Sequence, residues 1–183
     1  MTKTESLELF NQIKPDFFEK DYIRNREDEK IFDEMLLKLA DFDINKYSKQ
    51  FGKEITFDYY EGNLSDLKKE IAKVDDVWPQ FFDGKQKIYC GYINGQVASF
   101  CMIEDFGCFE INGKKAKIAG PGCVGTLPEF RNKGIGLTMV NKVTQIIKEL
   151  GFDYSYIHYT GVPLWYAKIG YETILRWNKY GVV

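Results

Sequence analysis

Histidine is almost missing from this chain, with one residue in 183. The four cysteines form no C-x-x-C pair, so no zinc-ligand spacing can be recognised and no metal is expected. A basic excess is missing too. Lysine and arginine total 25 against 27 acidic residues, a formal net charge of −2, so no field recruits nucleic acid. No apolar run approaches the roughly 20 residues of a membrane span, and Met1 to Ser6 leads into no signal-peptide core. A soluble, cytoplasmic protein without a membrane partner is expected. No repeat, linker or low-complexity segment interrupts the chain, which reads as one compact domain. Cys90, Cys101, Cys108 and Cys123 read as reduced, structural thiols, three of them in strand-like runs.

What is present is concentrated between Lys117 and Gly151. An apolar run, Lys117 to Val124, ends in Thr126-Leu127-Pro128-Glu129-Phe130-Arg131-Asn132-Lys133-Gly134-Ile135-Gly136. An amphipathic helix follows, its buried face marked by Met139, Val140, Val143, Ile146, Ile147 and Leu150. Lys148 lies in its last turn and Gly151 just beyond, as a helix C-terminus prefers. A glycine-containing loop and a helix N-terminus therefore share one spot. Gly134 and Gly136 let backbone N–H groups approach a ligand, the helix end adds partial positive charge, and Arg131 adds a full one. Such a spot is a seat for a pyrophosphate.

Elsewhere the reading is coarser. Residues 1–50 are helical in character, with Ile31, Met35, Leu36 and Leu39 on one helical face. They form an N-terminal helical extension ahead of a main domain at 51–183. Glu54 to Tyr60 alternates as a strand, and a helix follows from Ser65 to Val74, then a short helix or loop at Val77 to Phe82. Asn94-Gly95 and Asn112-Gly113 are hairpin signals that make a three-stranded antiparallel meander from Lys87 to Val124. After the long helix come a strand near Phe152 to Ile157, a helix from Pro163 to Ile169 and a last strand from Thr173 to Tyr180. The main domain thus reads β-α-α-β-β-β-α-β-α-β.

Gly120-Pro121-Gly122-Cys123-Val124-Gly125 matches G-x-G-x-x-G letter for letter. A dinucleotide site needs a helix beginning within those glycines, and Pro128 would interrupt its first turns. No acidic residue closes a second strand about 20 positions on. The glycines read instead as a bulged, bent strand.

Arg131-Asn132-Lys133-Gly134-Ile135-Gly136 resembles the Arg/Gln-x-x-Gly-x-Gly/Ala loop of the GNAT N-acetyltransferase superfamily. Pro163 to Tyr171 resembles that family's second signature, a tyrosine four residues before a Gly-aromatic pair. The motif-bearing likeness covers about residues 86–183. It implies an α/β fold with a mixed, mostly antiparallel twisted sheet flanked by helices. It also implies acetyl-CoA as co-substrate and acetyl transfer to a primary amine, here expected to belong to a small molecule. A protein N-terminus or lysine as acceptor, and a CoA-binding module without turnover, are the alternatives.

The resemblance assigns parts. The N–H groups of Asn132, Lys133, Gly134, Ile135 and Gly136, with the Arg131 charge, would hold the pyrophosphate. The backbones of Val124 and Thr126 would meet the pantetheine arm, and Tyr166 would donate a proton to the leaving thiolate. For the base that deprotonates the amine, Glu104 and Asp105 are the candidates at a strand end, with Glu110 third. His158 is the lone histidine, a residue type more often packed in a strand than catalytic. Tyr159 stands where the family often has asparagine, and Leu137 where it has a small hydroxyl residue. Trp78, Phe81, Phe82, Tyr59 and Tyr60 are candidate walls of an aromatic acceptor pocket. The extension would cover the acceptor site or build a homodimer.

Overall fold

Two Asn-Gly pairs organise the middle of the sheet. Asn94 and Gly95 have φ of 48° and 79°, and Asn112 and Gly113 have 52° and 70°, the left-handed pair that a tight hairpin turn requires. They fold β3 (Lys87–Ile93), β4 (Gln96–Ile111) and β5 (Lys114–Thr126) into an antiparallel meander. The computed structural model, which describes residues 1–183, extends that meander into one eight-stranded sheet. The other strands are β1 (Phe32–Lys38), β2 (Ile55–Tyr59), β6 (Tyr154–Thr160), β7 (Glu172–Asn178) and β8 (Gly181–Val182). Their order is β2-β3-β4-β5-β6-β1-β7-β8, and only β5 beside β6 is parallel.

Helices cover both faces. On one lies the long helix α4 (Ile135–Glu149), which packs Met139, Val140, Val143 and Ile147 against Met35, Cys101, Ala119 and Ile157. On the other face, α1 (Lys3–Ile13) sets Leu9 over Leu36, Ile118 and Tyr156. Its first turn is closed by a capping box between Thr2 and Glu5. Beside it α3 (Leu64–Ala72) packs Leu67 and Ile71 on Cys90, Phe100 and Met102. The short helices α2 (Asp21–Arg24) and α5 (Pro163–Ala167) finish the set. From β2 onward, the observed order follows the sequence expectation, with a 3-10 turn at Trp78–Phe81 as the second helical element.

One element differs. The segment expected to place Ile31, Met35, Leu36 and Leu39 on a helical face is strand β1, paired with β6 on one side and β7 on the other. Met35 and Leu37 face α4 while Leu36 faces α1. A strand buried on both faces loses the polar–apolar alternation, and a short apolar run then looks helical. The α-helices of the extension therefore end at Arg24, 3-10 turns follow at Leu39–Asp41 and Ile44–Lys46, and its strand lies inside the sheet rather than ahead of it.

The parallel pair is brief. β5 meets β6 only at Ile118 with Tyr154 and Ala119 with Ser155, and beyond those residues the strands part. Gly120 stands at the crotch of this fork, where a Cβ would collide with the backbone carbonyl of Tyr156. Further along, β5 carries one extra residue between Gly122 and Gly125 opposite Met102 and Phe100. Cys123, inside that bulge, has φ of 46°. The glycine-rich run is a bent strand, as its sequence suggests. Gly120→Ala is expected to destabilise the fold by about 1–3 kcal/mol, since a backbone atom cannot swing aside as a side chain can. Thermal unfolding should register this as a fall of about 2–4 °C per kcal/mol; an unchanged melting temperature would show that the fork tolerates a methyl group.

Candidate functional site

The arm of β5 that leaves the fork leads directly into the glycine loop. After Thr126 a single 3-10 turn, Pro128–Phe130, carries the chain to Arg131. Asn132 and Gly134 then take positive φ of 63° and 81°, and α4 begins at Ile135. Gly134 is the N-cap and offers no side chain, so the first N–H groups of α4 face outward without a capping oxygen. Gly136 brings this first turn against the end of β5, where a Cβ would strike the Thr126 hydroxyl. The Trp165 ring lies 3.5 Å from that same position. Loop, fork mouth and α5 therefore meet at one place.

Charge at the loop is arranged less simply than the sequence suggests. Arg131 Nε donates to the Thr126 carbonyl at 3.1 Å, which ties the side chain back to β5 and leaves the outer guanidinium nitrogens free. Lys133 lies over the Phe130 ring at 5.3 Å. A second cation arrives from a part of the chain that carries no motif. A Cβ on Gly134 would stand 2.7 Å from Lys49 Cδ, 3.0 Å from its Nζ and 3.1 Å from the Tyr47 hydroxyl. Asn141 of α4 holds that segment by donating to the carbonyls of Ile44 at 2.8 Å and Tyr47 at 3.0 Å. Lys148 adds a bond to the Phe42 carbonyl at 2.8 Å. The one legible sign of this clasp is Asn141 itself, a polar residue inside the apolar stripe of the helix.

Tyr166 on α5 is buried in the core shared by Ala119, Cys101 and Tyr171. Burial, with Tyr171 beside it, pushes its phenol far above the usual tyrosine range. Its hydroxyl has no hydrogen-bond partner in the protein and is not sealed from solvent. Tyr171 differs: its hydroxyl bonds to Ser155 at 2.6 Å and Thr144 at 2.9 Å, which occupies it structurally.

The opposite face of the fork is polar. Glu104 is half-buried and leans over Gly122, where a Cβ would collide with its carboxylate. It lies inside β4, not at a strand end, because β4 continues to Ile111. Asp105 is exposed and its carboxylate accepts the Gly107 N–H at 2.9 Å, while Glu110 is exposed near the far hairpin. Lys14, just past α1, sits with its Nζ 5.1 Å from the Phe106 ring centroid. Burial lowers its pKa while Glu104 and Glu34 oppose that shift. The expected aromatic acceptor pocket is not assembled: Phe82 lies in the core under α3, Trp78 packs against Phe100, and Phe81 is exposed. Tyr159, at the position where asparagine was noted as usual, has φ of 59° and its hydroxyl is bonded by Arg26.

The model of the acetyltransferase (GNAT) family matches residues 50–171. Among solved structures, a glucosamine N-acetyltransferase region of a fungal multidomain GH3 β-N-acetylglucosaminidase shares 17% identity at a TM-score of 0.67, over 81% of this chain and 20% of that one. A GCN5-related N-acetyltransferase from Kribbella flavida aligns at 16% identity and TM-score 0.55, over 79% and 55% of the two chains. One from Sphaerobacter thermophilus gives 15% identity and TM-score 0.55, over 81% and 50%. The chain thus spans from a fifth to about half of the length of these structures, and at such identities they share its fold. No curated protein matches the sequence.

The thiols respond to the same architecture. Cys90 and Cys101 are buried, Cys108 is exposed, and Cys123 is half-buried with its pKa pushed up to about 12, by burial first and then by Glu104. At pH 8 an aromatic disulfide reagent is expected to label Cys108 at least tenfold faster than Cys123, because the thiolate is the reactive form. Peptide mapping that found Cys123 labelled first would mean that its bulge is open and its thiol ionised.

Proposed function

The chain belongs to the acetyltransferase (GNAT) family, and on that footing we propose that it moves an acetyl group from acetyl-CoA to a primary amine on a small molecule. The observation that carries this reading is the loop–helix junction at the mouth of the β5–β6 fork, with left-handed Gly134 opening the first turn of α4. Free N–H groups at a helix start suit a pyrophosphate, and the outer nitrogens of Arg131 and the Lys49 ammonium supply counter-charge. The N–H groups from Asn132 through Lys133 and Ile135 to Gly136 line the seat. The diverging arm from Val124 to Thr126 suits an amide-bearing pantetheine chain, whose hydrogen bonds a strand edge can match.

The acceptor approaches from the face that carries Glu104. An alkyl amine titrates near about 10.4 and arrives as an ammonium ion, which Glu104 attracts. Once neutral, the nitrogen attacks the thioester carbon, the C–N bond forms and the C–S bond breaks. Tyr166 has a phenol far weaker as an acid than a thiol of pKa about 8.5, so full proton transfer from it is uphill. Its role is to hydrogen-bond the departing sulfur, whose proton then comes from the newly bonded nitrogen. The fungal relative is described as a glucosamine N-acetyltransferase, which makes glucosamine the first amine to try.

Calorimetric titration with acetyl-CoA tests the seat. Wild-type binding in the micromolar range should vanish in Gly134→Asp, and should weaken about 10–100-fold in Arg131→Ala, the equivalent of about 1.5–3 kcal/mol. Lys49→Ala should weaken it by about fivefold, as suits an exposed cation. A folded wild type that fails to bind removes acetyl-CoA from the proposal. Tyr166→Phe should lower kcat by about 100-fold with acetyl-CoA binding unchanged; full activity would leave Tyr166 as packing alone.

A further inference from the structure

Glu34 is fully buried in the middle of β1, yet it faces no lysine or arginine within ion-pair distance. Donors surround it instead. Tyr156 Oη reaches its carboxylate at 2.5 Å, Trp177 Nε1 at 2.7 Å, the Tyr159 backbone N–H at 3.2 Å, and His158 Nδ1 at 2.9 Å. A carboxylate out of water is tolerated only when its lone pairs are matched in this way. Three of the four partners are held rigidly: Tyr156 and Trp177 are sealed in the core, and the backbone of Tyr159 is part of β6. The fourth is an imidazole that keeps 20% of its side chain exposed.

An ionised Glu34 accepts hydrogen bonds only, so the hydrogen at His158 Nδ1 must point at it. The lone pair of the neutral ring then sits on Nε2. That nitrogen has no partner in the protein and is not buried. Phe10 and Phe17 pack against the ring and fix its plane, with centroids 6.4 and 5.1 Å away. The combination of buried carboxylate, oriented imidazole and open outer nitrogen is how proteins hold a proton acceptor ready.

Its place in the fold gives this acceptor a task. His158 lies on the arm of β6 three residues beyond Ser155, the last residue paired with β5. It shares a strand face with Tyr156, which packs under α1 on the Glu104 side of the fork. Lys14, beside Phe106, feels the charge of both Glu104 and Glu34, and Phe106 packs edge-on against Tyr156, so these groups neighbour one another on one face of the sheet. We propose that His158, held by Glu34, takes the proton from the acceptor's ammonium group on this face of the sheet, with Glu34 as its positioning residue. This rests on the acetyl-transfer reading above. The ammonium loses one proton to Nε2, and the ring later returns it to solvent. The free nitrogen bonds to the acetyl carbon and passes its surplus proton to the departing thiolate. The sum is one amide, one thiol and one proton released.

Imidazole suits the work better than Glu104, since a carboxylate is a much weaker base toward an ammonium of pKa about 10.4. The charged and titratable groups around the ring are Glu34 on β1, Tyr156 and Tyr159 on β6, and Arg26 bonded to Tyr159, with Lys14 after α1 near Glu34 and Glu104 near Lys14. The neutral ring is the active form, so kcat at saturating amine should have an acidic limb, falling as acid protonates Nε2.

The chain's single histidine makes the first measurement acceptor-independent. Nitrogen NMR of the imidazole should show the Nδ1–H tautomer in the neutral protein, and adding acetyl-CoA should shift its resonances. An Nε2–H tautomer, or a ring that does not respond to bound acetyl-CoA, would overturn the proposal. Thiol release from acetyl-CoA with glucosamine as the amine supplies the second reading. His158→Gln should lose about 100-fold or more in kcat, with acetyl-CoA affinity within twofold of wild type, lose the acidic limb, and regain activity with added imidazole. Glu34→Gln should mix the tautomers, because an amide can donate to Nδ1 as well as accept from it. A His158→Gln protein whose kcat at saturating amine retains the acidic limb refutes the assignment even if it is slow. Failure of the wild type to bind acetyl-CoA would count against the acetyl-transfer reading, whereas the tautomer stands or falls by itself.

Discussion

Two residue pairs hold β5 to β6, and the whole site follows from their being so few. A longer parallel ladder would seal the sheet between Ala119 and the glycine loop. The strands separate at Gly120, the position where only a missing Cβ lets the carbonyl of Tyr156 come so near. From there β5 bends through Cys123 to the loop, while β6 runs to Thr160 and the turn before α5. The bare helix start, the buried Tyr166 and the polar face around Glu104 are three views of that one divergence.

Around the fork, the two faces of the sheet divide the labour by polarity. On the α4 side, Met139, Val143 and Ile147 make a dry layer that sets the direction of the helix and aims its N-terminus. The other side, which α1 and α3 cover, admits Glu104, Lys14 and the imidazole of His158. Burying a polar group requires a partner for each donor and acceptor, and here Glu34 meets that demand with four. It lies beside a bulge in β1, where the register against both neighbours shifts next to Met35.

The segment before residue 50 enters the site from both ends. Its strand supplies Glu34, and its last turns bring Tyr47 and Lys49 to Gly134 under the hold of Asn141. The family model begins at residue 50, so these contributions belong to the part of the chain that it does not reach. They tie the segment before residue 50 to both His158 and the glycine loop.

The sequence alone determined the local chemistry. Asn94-Gly95 and Asn112-Gly113 need left-handed backbone and so dictate the meander. The apolar stripe from Met139 to Ile147 dictates a helix, and Gly134 and Gly136 ahead of it make its start bare. Each of these signals is contained within a few neighbouring residues, which is why it can be read from them. Tertiary structure decided what depends on distant partners. It made β1 a strand, since burial on both faces erased the alternation that would have marked it. It set Glu104 inside β4, because nothing local ends that strand at the bulge. It joined Glu34 to His158 across 124 positions and Lys49 to Gly134, pairings that no spacing encodes. A hydrogen bond or an ion contact between remote residues exists only when packing has already brought two backbones together, and that packing is a property of the whole sheet.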